Sequence, residues 1–269
     1  MKRGVIMVVL LSVLLCQAVF SRSVLAEDKI YDYTIDFSRL LISDTEHTLT
    51  APQRWGSQEW RELTLYSAAF GAVLILDKPI YDEINRQRSH SLDRFAGFIQ
   101  GFGSYPSFGI MGAFYAGGMM YDDSNAKSVA VDAFASSFVA AGIITTSLKV
   151  VTGRSRPNAG SGTYNFQPFS GDDSFPSGHT TQAFALASVI SEHYNEQWID
   201  ITSYGIATLV GLARIEQEKH FPSDVLAGAI IGTVVGKSIV GYNKGHHGRF
   251  SLIPAIDGQT TGVMLRAEL

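Results

Sequence analysis

The sequence predicts an all-α fold, a bundle of six helices followed by a small β-hairpin. Six apolar segments are long enough for helices, and apolar residues within them recur at the helical period more often than they alternate. These segments cover residues 60–76, 95–120, 129–151, 180–194, 199–215 and 224–242. The 269 residues are 46% hydrophobic, which is enough for one sizeable core, and no shift in composition divides the helical region. We therefore expect a single helical domain over residues 58–244.

The N-terminus has the pattern of a signal peptide over residues 1–26. Two basic residues precede an almost wholly apolar run at residues 5–20, and Val24 and Ala26 supply the small residues of a cleavage site. The alternative is a retained membrane anchor. Cleavage near Ala26 implies export to the cell envelope, either to the periplasm or to a membrane.

Two further segments flank the helices. Residues 27–57 are polar and contain the helix breakers Pro52 and Gly56, so we expect an N-terminal arm that is extended, with short helical turns. Residues 245–269 predict a β-hairpin, because two runs of alternating apolar residues surround an Asp-Gly turn.

The helices are ambiguous between membrane spans and a soluble, membrane-associated bundle. Residues 95–121 carry no charge over more than the length of a span, but Pro106 and several glycines interrupt them. The mean hydropathy of +0.11 is low for a protein with six spans. Both forms therefore stay open. A net charge of −4 gives no indication of nucleic-acid binding.

Three glycines in the last helix, Gly228, Gly232 and Gly236, are spaced four residues apart and form one stripe. Such a stripe permits very close contact with another helix. That helix can belong to the same chain or to a second copy, so the sequence leaves the oligomeric state open.

The loop that carries Pro176, Ser177, Gly178 and His179 precedes an apolar helical run. It places the amides of Ser177 and Gly178 at a helix N-terminus, where unpaired N–H groups and the helix dipole favour an anion. His179 is positioned to exchange a proton with whatever is bound there. Taken alone, the same loop is equally well explained as a helix cap with a chance histidine.

A cationic segment lies upstream of this loop. Lys149 lies on the last turn of the third predicted helix, Gly153 ends that helix, and Pro157 holds Arg156 extended. A helix C-terminus with cations that interact with the dipole is the alternative explanation.

Downstream, Arg214 ends the fifth predicted helix, and His220 and Asp224 lie four residues apart at the start of the sixth, with Ser223 as its expected N-cap. The carboxylate can hold one imidazole nitrogen and leave the other as a base or nucleophile. Asp224 could instead serve only as a helix-start acid, or the pair could bind a metal. The surrounding cations favour an oxyanion over a divalent cation, and hence phosphoryl transfer through a phosphohistidine.

The three motifs Lys-x6-Arg-Pro, Pro-Ser-Gly-His and Arg-x5-His-x3-Asp resemble the signature of the type 2 phosphatidic acid phosphatase family. Bacterial class A acid phosphatases and vanadium-dependent haloperoxidases share that signature. The motifs begin at Lys149, Pro176 and Arg214. The chain departs from the pattern at Ala213, where the family usually has serine, which predicts one fewer hydrogen bond in the phosphate pocket.

The resemblance implies a role for each matching residue. Phosphate oxygens are bound by Lys149, Arg156, Arg214, the amide and hydroxyl of Ser177, and the amide of Gly178. His220 attacks phosphorus, oriented by Asp224, and His179 protonates the leaving group before water hydrolyses the phosphohistidine. No metal or other cofactor is implied, because the cations take its place.

The expected function is that of a metal-independent phosphatase acting on a lipid phosphate or diphosphate, since the apolar helices favour a lipid substrate. The alternatives are an acid phosphatase for soluble phosphomonoesters, a vanadate-dependent haloperoxidase and a non-catalytic protein that binds phosphorylated headgroups.

Overall fold

The computed structural model describes residues 27–246, 250–257 and 260–267, and side chains from residue 38 to residue 245. The predicted signal peptide lies outside these residues. The chain forms two compact units, and the larger one, Asp44–His247, contains every predicted site residue.

The all-α fold is confirmed. Each of the six predicted segments is helical, although the one over residues 95–120 is divided, and further helices lie between and before them. The α-helices are α1 (Glu27–Leu49), α2 (Ser57–Ile75), α3 (Asp77–Arg86), α4 (His90–Ile99), α5 (Tyr105–Met120), α6 (Ser124–Ser137), α7 (Thr146–Thr152), α8 (Gly178–Tyr194), α9 (Gln197–Glu216) and α10 (Pro222–His246). Short 3-10 turns lie at Ala51–Arg54, Gln100–Gly103 and Pro157–Ala159, and a π-helix at Phe138–Thr145 joins α6 to α7.

The expectation of an extended N-terminal arm is wrong, because Glu27–Leu49 is one helix of 23 residues. Its last turns are tied to the helical bundle: the side-chain amide of Asn243 in α10 lies 3.4 Å from the carboxylate of the fully buried Asp44. The polar composition of this segment therefore marks a helix that contributes polar contacts to the bundle.

The predicted helix over residues 95–120 is divided into α4 and α5 by the 3-10 turn Gln100–Gly103. Gly103 explains the break. A Cβ atom there would lie 2.3 Å from the backbone oxygen of His179 and 2.8 Å from Val210 Cγ1, so the turn packs directly against the start of α8. Pro106 then occupies the first turn of α5, where its missing N–H costs nothing.

A nearly continuous helical rod, α6 through α7, carries Lys149 towards the site. Asp123 caps its start by accepting from the amides of Asn125 and Ala126. It ends as predicted at Gly153, whose φ of +53° is left-handed, and a Cβ atom there would meet Gln167 O at 1.8 Å.

The glycine stripe of α10 faces α8 of the same chain, so the helix that the stripe contacts is internal. Cβ atoms at Gly228, Gly232 and Gly236 would lie 2.7 Å from Ser177 O, 2.4 Å from Thr181 O and 1.9 Å from Ser188 Oγ, respectively. The absence of side chains lets the two helices touch backbone to backbone. This contact fixes the start of α10, with Asp224, against the start of α8, with His179.

The core between α6, α8 and α10 is apolar and closely packed. Its centre is formed by Val129, Ala133, Leu186, Val189 and Val240, all buried. This layer lies towards the C-terminal ends of α8 and α10, whereas the motif residues lie at their N-terminal ends. It therefore holds the helices together without entering the candidate site.

Within the described part of the chain, two helical segments are long and apolar enough to cross a membrane, Ser124–Thr152 and Pro222–Gly245. The helices α2 and α3, bent by 59° at their junction, together form a third candidate. In the smaller unit, β1 (Phe250–Asp257) and β2 (Thr260–Ala267) pair antiparallel, with Phe250 opposite Ala267 and Asp257 opposite Thr260.

Candidate active site

The contacts of His220 define which of its nitrogens is free. This residue lies between α9 and α10, is 2% exposed, and has Nδ1 2.7 Å from the backbone oxygen of Ser174. A carbonyl oxygen can only accept a hydrogen bond, so Nδ1 carries the proton and Nε2 keeps its lone pair. Burial lowers the pKa of His220 to about 4, against the opposing effect of Asp224, so the ring is neutral near pH 7.

Asp224 lies near this ring but does not hold it in the predicted way. Its Oδ2 is 3.7 Å from His220 Nδ1, too far for a hydrogen bond. The carboxylate instead accepts from the hydroxyl of Ser174 at 2.6 Å and from the amide of Phe221 at 2.9 Å. The two residues are thus coupled electrostatically, and Ser174 provides the hydrogen bond.

Arg154 anchors Asp224 from the other side. Its guanidinium is fully buried and donates from NH1 to Asp224 Oδ1 at 2.6 Å and from NH2 to Asp77 Oδ2 at 2.7 Å. The guanidinium also lies over the ring of Phe221, 4.4 Å from its centroid. One arginine therefore joins the loop after α7 to α3 and α10.

Ser223 does not cap its own helix as predicted. Its amide and hydroxyl both donate to the carboxylate of Asp77, at 2.7 and 2.6 Å. The helix starts at Pro222, two residues before the predicted start at Asp224. A carboxylate from α3 thus accepts a hydrogen bond from an amide in the first turn of α10, where a local cap was predicted.

The cations Lys149 and Arg156 lie beside Asp173, in the loop before α8. Arg156 Nε and NH2 each donate to one carboxylate oxygen of Asp173 at 2.8 Å, and Lys149 Nζ donates to the backbone oxygen of Asp173. Partial burial raises the pKa of Asp173, but the hydrogen bond from Arg156 and the positive charge of Lys149 outweigh it and hold that pKa low. A carboxylate therefore lies among the groups that were predicted to bind phosphate.

Arg214 completes the cationic set from the last turn of α9. Its NH1 donates to the side-chain oxygens of Gln100 and Gln217, the latter at 2.9 Å. The buried Nε has no hydrogen-bond partner among the described residues. The guanidinium is thus held by neutral acceptors and keeps donors and its full charge for an anion.

The N-terminus of α8 supplies fewer anion-binding amides than predicted. The amide of Ser177 donates to the backbone oxygen of Asp224 at 2.9 Å, so its predicted role in phosphate binding does not fit this structure. The hydroxyl of Ser177 accepts from Thr180 at 2.9 Å and keeps its own proton to donate. The amide of Gly178 stays the predicted backbone ligand.

Residues 131–245 match the family model of the PAP2 superfamily, a range that contains all three motifs and both histidines. This part of the chain is a PAP2 superfamily domain. The resemblance carried by the three motifs is therefore confirmed.

Relatives of the PAP2 domain include lipid A 1-phosphatases. The enzyme of Rhizobium etli is 32% identical over 136 residues, which cover 48% of this chain and 50% of that protein. That of Porphyromonas gingivalis is 40% identical over 67 residues, 24% of this chain and 15% of that protein. The chain thus spans half or less of the length of these curated relatives.

A solved structure shares the fold of the PAP2 domain. It is the crystal structure of a transmembrane PAP2 type phosphatidylglycerolphosphate phosphatase from Bacillus subtilis, with a TM-score of 0.53 and 22% identity. The match covers 69% of this chain and 94% of that one.

His179, at the start of α8, lies within electrostatic reach of the cations of the PAP2 domain. Burial lowers its pKa to about 4, and the positive charges of Arg214, Arg156 and Lys149 act in the same direction. Lys149, Arg156 and Arg214 therefore lie close enough to His179 to act on its charge. A bound phosphate would neutralise them and so favour the protonated form of His179.

Ala213, the departure from the family signature, lies in a small apolar cluster. It is 4% exposed and packs with the buried Ala96 and Ile99 of α4. The residue therefore helps to seat α9 on α4, immediately before Arg214.

Sequence reasoning missed several polar residues that complete the site. They are Asp77, Gln100, Arg154, Asp173 and Ser174. Only Arg154 had a local signal, because it lies within the first motif and two residues before Arg156. The others contact the site through packing of distant segments.

Proposed function

We propose that this chain is a metal-independent phosphatase that hydrolyses a lipid phosphate or diphosphate through a phosphohistidine. The observation that carries the proposal is the geometry of His220, whose Nδ1 is occupied by the Ser174 carbonyl so that Nε2 is a free nucleophile. Lys149, Arg156 and Arg214 would bind the phosphate oxygens opposite this nitrogen, together with the hydroxyl of Ser177 and the amide of Gly178.

In the first step, His220 Nε2 attacks phosphorus and the bond from phosphorus to the leaving oxygen breaks. His179 gives its proton to that oxygen, so the lipid leaves as a neutral alcohol, or as a phosphate where the substrate is a diphosphate. The cations stabilise the charge that develops on the equatorial oxygens.

In the second step, His179 takes a proton from a water molecule that attacks the phosphohistidine. The phosphorus–nitrogen bond breaks, His220 regains its lone pair at Nε2, and inorganic phosphate leaves. The proton that His179 lost in the first step is thereby restored. No group other than water is consumed.

A lipid substrate is supported by the two apolar helices and by the names of the relatives. Lys149 and Asp224 lie within the two segments that could cross a membrane, which brings the site close to the headgroup region of a bilayer. We place the protein in a membrane of the cell envelope, with the signal peptide removed near Ala26. Lipid A 1-phosphate is the first substrate to test, because two relatives carry that activity in their names.

The proposal is tested by phosphate release from the purified mature protein in detergent with excess EDTA. Lipid A, phosphatidic acid and a small soluble phosphomonoester are compared, using wild type, His220→Ala and the control His90→Ala, which removes an exposed histidine at the start of α4. We expect release that resists EDTA, is faster on a lipid, persists in the control and is lost in His220→Ala. A ³²P-labelled, acid-labile and base-stable protein adduct should form in wild type and not in His220→Ala.

Three outcomes would contradict parts of the proposal. Loss of release in EDTA would contradict the metal-free mechanism. Faster release from the soluble ester would favour an acid phosphatase. Full release by His220→Ala would remove His220 from the reaction.

A further inference from the structure

We infer that the backbone carbonyl of Ser174 is the direct orienting partner of His220, and that Asp224 acts on this histidine by holding Ser174 in place. The inference rests on the proposed role of His220 as nucleophile. It assigns a positioning role to Ser174, a residue that lies outside all three motifs.

The distances distinguish the two candidate partners. Nδ1 of His220 lies 2.7 Å from the Ser174 oxygen and 3.7 Å from Asp224 Oδ2. A hydrogen bond requires a separation of about 3.2 Å or less, so only the carbonyl qualifies. Asp224 is left to act through its charge and through the groups that it binds.

Ser174 is fixed from two further directions. Its amide donates to the backbone oxygen of Arg154 at 2.9 Å, and its hydroxyl donates to Asp224 Oδ2 at 2.6 Å. The residue is fully buried, so water does not compete for these bonds. These two hydrogen bonds thus set the direction in which its carbonyl points towards His220.

The same Asp224 is held at its other oxygen by Arg154, whose guanidinium is in turn held by Asp77. The order of contacts is Asp77, Arg154, Asp224, Ser174 and His220. Each link is buried and satisfied, which is the condition under which a polar network adds rigidity. The consequence at the reacting end is a single neutral tautomer with the proton on Nδ1.

This arrangement also suits the intermediate. When Nε2 bonds to phosphorus, the ring becomes positively charged and Nδ1 must keep its proton. The carbonyl accepts a hydrogen bond from Nδ1–H in both states, and the charge of the nearby Asp224 stabilises the cation while the proton stays on Nδ1. Loss of the hydrogen bond to the Ser174 carbonyl would let the His220 ring rotate or change tautomer. The nucleophilic lone pair on Nε2 would then be lost, while the groups that bind phosphate would stay in place.

The first test reads the tautomer of His220 by ¹⁵N NMR of histidine-labelled full-length protein in micelles, without substrate. The His220 signals are identified by their loss in His220→Gln. Wild type and Asp224→Asn are both expected to show the proton on Nδ1. An ester in place of the peptide bond between Ser174 and Phe175, a weaker acceptor, is expected to populate the Nε2–H tautomer. The opposite pattern, a switch in Asp224→Asn and none in the ester, would overturn the inference.

The second test is kinetic and uses Ser174→Ala, which keeps the carbonyl but removes the bond to Asp224. We expect kcat to fall about tenfold, the scale of one hydrogen bond to a charged group, with KM unchanged. The control is Ser188→Ala, which removes another fully buried serine hydroxyl from α8, far from His220. An unchanged kcat in Ser174→Ala, or an equal fall in the control, would overturn the role of the Ser174 hydroxyl.

The two proposals fail in distinguishable ways. The NMR result does not depend on turnover. A protein that released no phosphate from any substrate would contradict the proposed function, but the tautomer of His220 measured by NMR would still test whether Ser174 orients this histidine. An active enzyme with the proton on Nε2 of resting His220 would contradict only the inference about Ser174.

Discussion

The carboxylate of Asp173 and the guanidinium of Arg156 form a two-point ion pair, with Nε–Oδ1 and NH2–Oδ2 both at 2.8 Å. Asp173 is also bound by Lys149 through its backbone oxygen, and its side chain is half exposed. An internal anion therefore already occupies one edge of the arginine that is predicted to bind phosphate. NH1 of Arg156 makes no hydrogen bond to any described residue, and the carboxylate reduces the positive potential around this arginine.

Removal of this charge is expected to tighten the binding of free anions. In Asp173→Asn we expect the inhibition constant of inorganic phosphate or vanadate to fall about tenfold, because one like charge near the anion is lost. The measurement is inhibition of lipid phosphate hydrolysis at fixed pH and ionic strength.

Asp172→Asn is the matched control for this experiment. That carboxylate belongs to the same loop but accepts from Ser155 at 2.6 Å instead of from Arg156. We expect its inhibition constant to stay at the wild-type value. Weaker anion binding in Asp173→Asn would show that Asp173 aligns Arg156 and does not compete with phosphate.

Arg154 and Arg156, two residues apart, are expected to separate stability from activity. Arg154→Gln leaves Asp77 and Asp224 without their shared buried partner, which costs about 3–5 kcal/mol of unfolding free energy. Arg156 is one-third exposed, and Arg156→Gln should change the unfolding free energy by less than about 1 kcal/mol while it raises KM.

The measurement is thermal unfolding in detergent together with steady-state kinetics for both variants. A large drop in Tm for Arg156→Gln with an unchanged KM would show that this arginine is structural. A wild-type Tm for Arg154→Gln would contradict the network that joins α3 to α10.

The sequence predicted the helices and the motif residues because both signals are local. The helical period marks α2, α8 and α9 to within a few residues, and a fixed spacing brings Arg214, His220 and Asp224 to the junction of α9 and α10. Such patterns do not depend on how distant segments pack.

The partners of these residues could not be predicted in the same way. Asp77 lies 147 positions before Asp224 and is joined to it through Arg154, and Ser174 approaches His220 by a turn of the loop before α8. The Ser177 amide was expected to bind phosphate because it precedes a helix. Close packing of α10, made possible by its glycines, gives that amide the backbone oxygen of Asp224 instead.

Gly103 is expected to be essential for the fit of the 3-10 turn against α8. In Gly103→Ala the new Cβ would lie 2.3 Å from His179 O, so the turn must shift, at a cost of about 1–3 kcal/mol. Gln100 belongs to the same turn, so Arg214 should lose its alignment and KM should rise. The control Gly109→Ala, in α5 with nothing within 4 Å of the new Cβ, should leave Tm and KM unchanged or raise Tm slightly. Equal effects of the two variants would contradict the packing argument.

The two histidines of the candidate site should make the protein less stable as the pH falls. Burial lowers the pKa of both His179 and His220 to about 4, from an ordinary value of 6.5. Between these values the unfolded chain binds protons that the folded chain does not, so the unfolding free energy decreases as the pH falls from about 6.5 towards 4. Above pH 6.5 both states hold these histidines neutral, and this contribution to stability is fully present.

For the fully buried His220 the difference corresponds to roughly 3 kcal/mol at the end of that range. Tm measured from pH 7.5 to pH 4.5 should therefore fall less steeply in His220→Gln than in wild type, since glutamine does not titrate. His90→Gln, which replaces an exposed histidine, should follow the wild-type curve. If His220→Gln lost stability as steeply as wild type over this range, His220 would have to titrate alike in the folded and unfolded chain, in conflict with its burial against the Ser174 carbonyl.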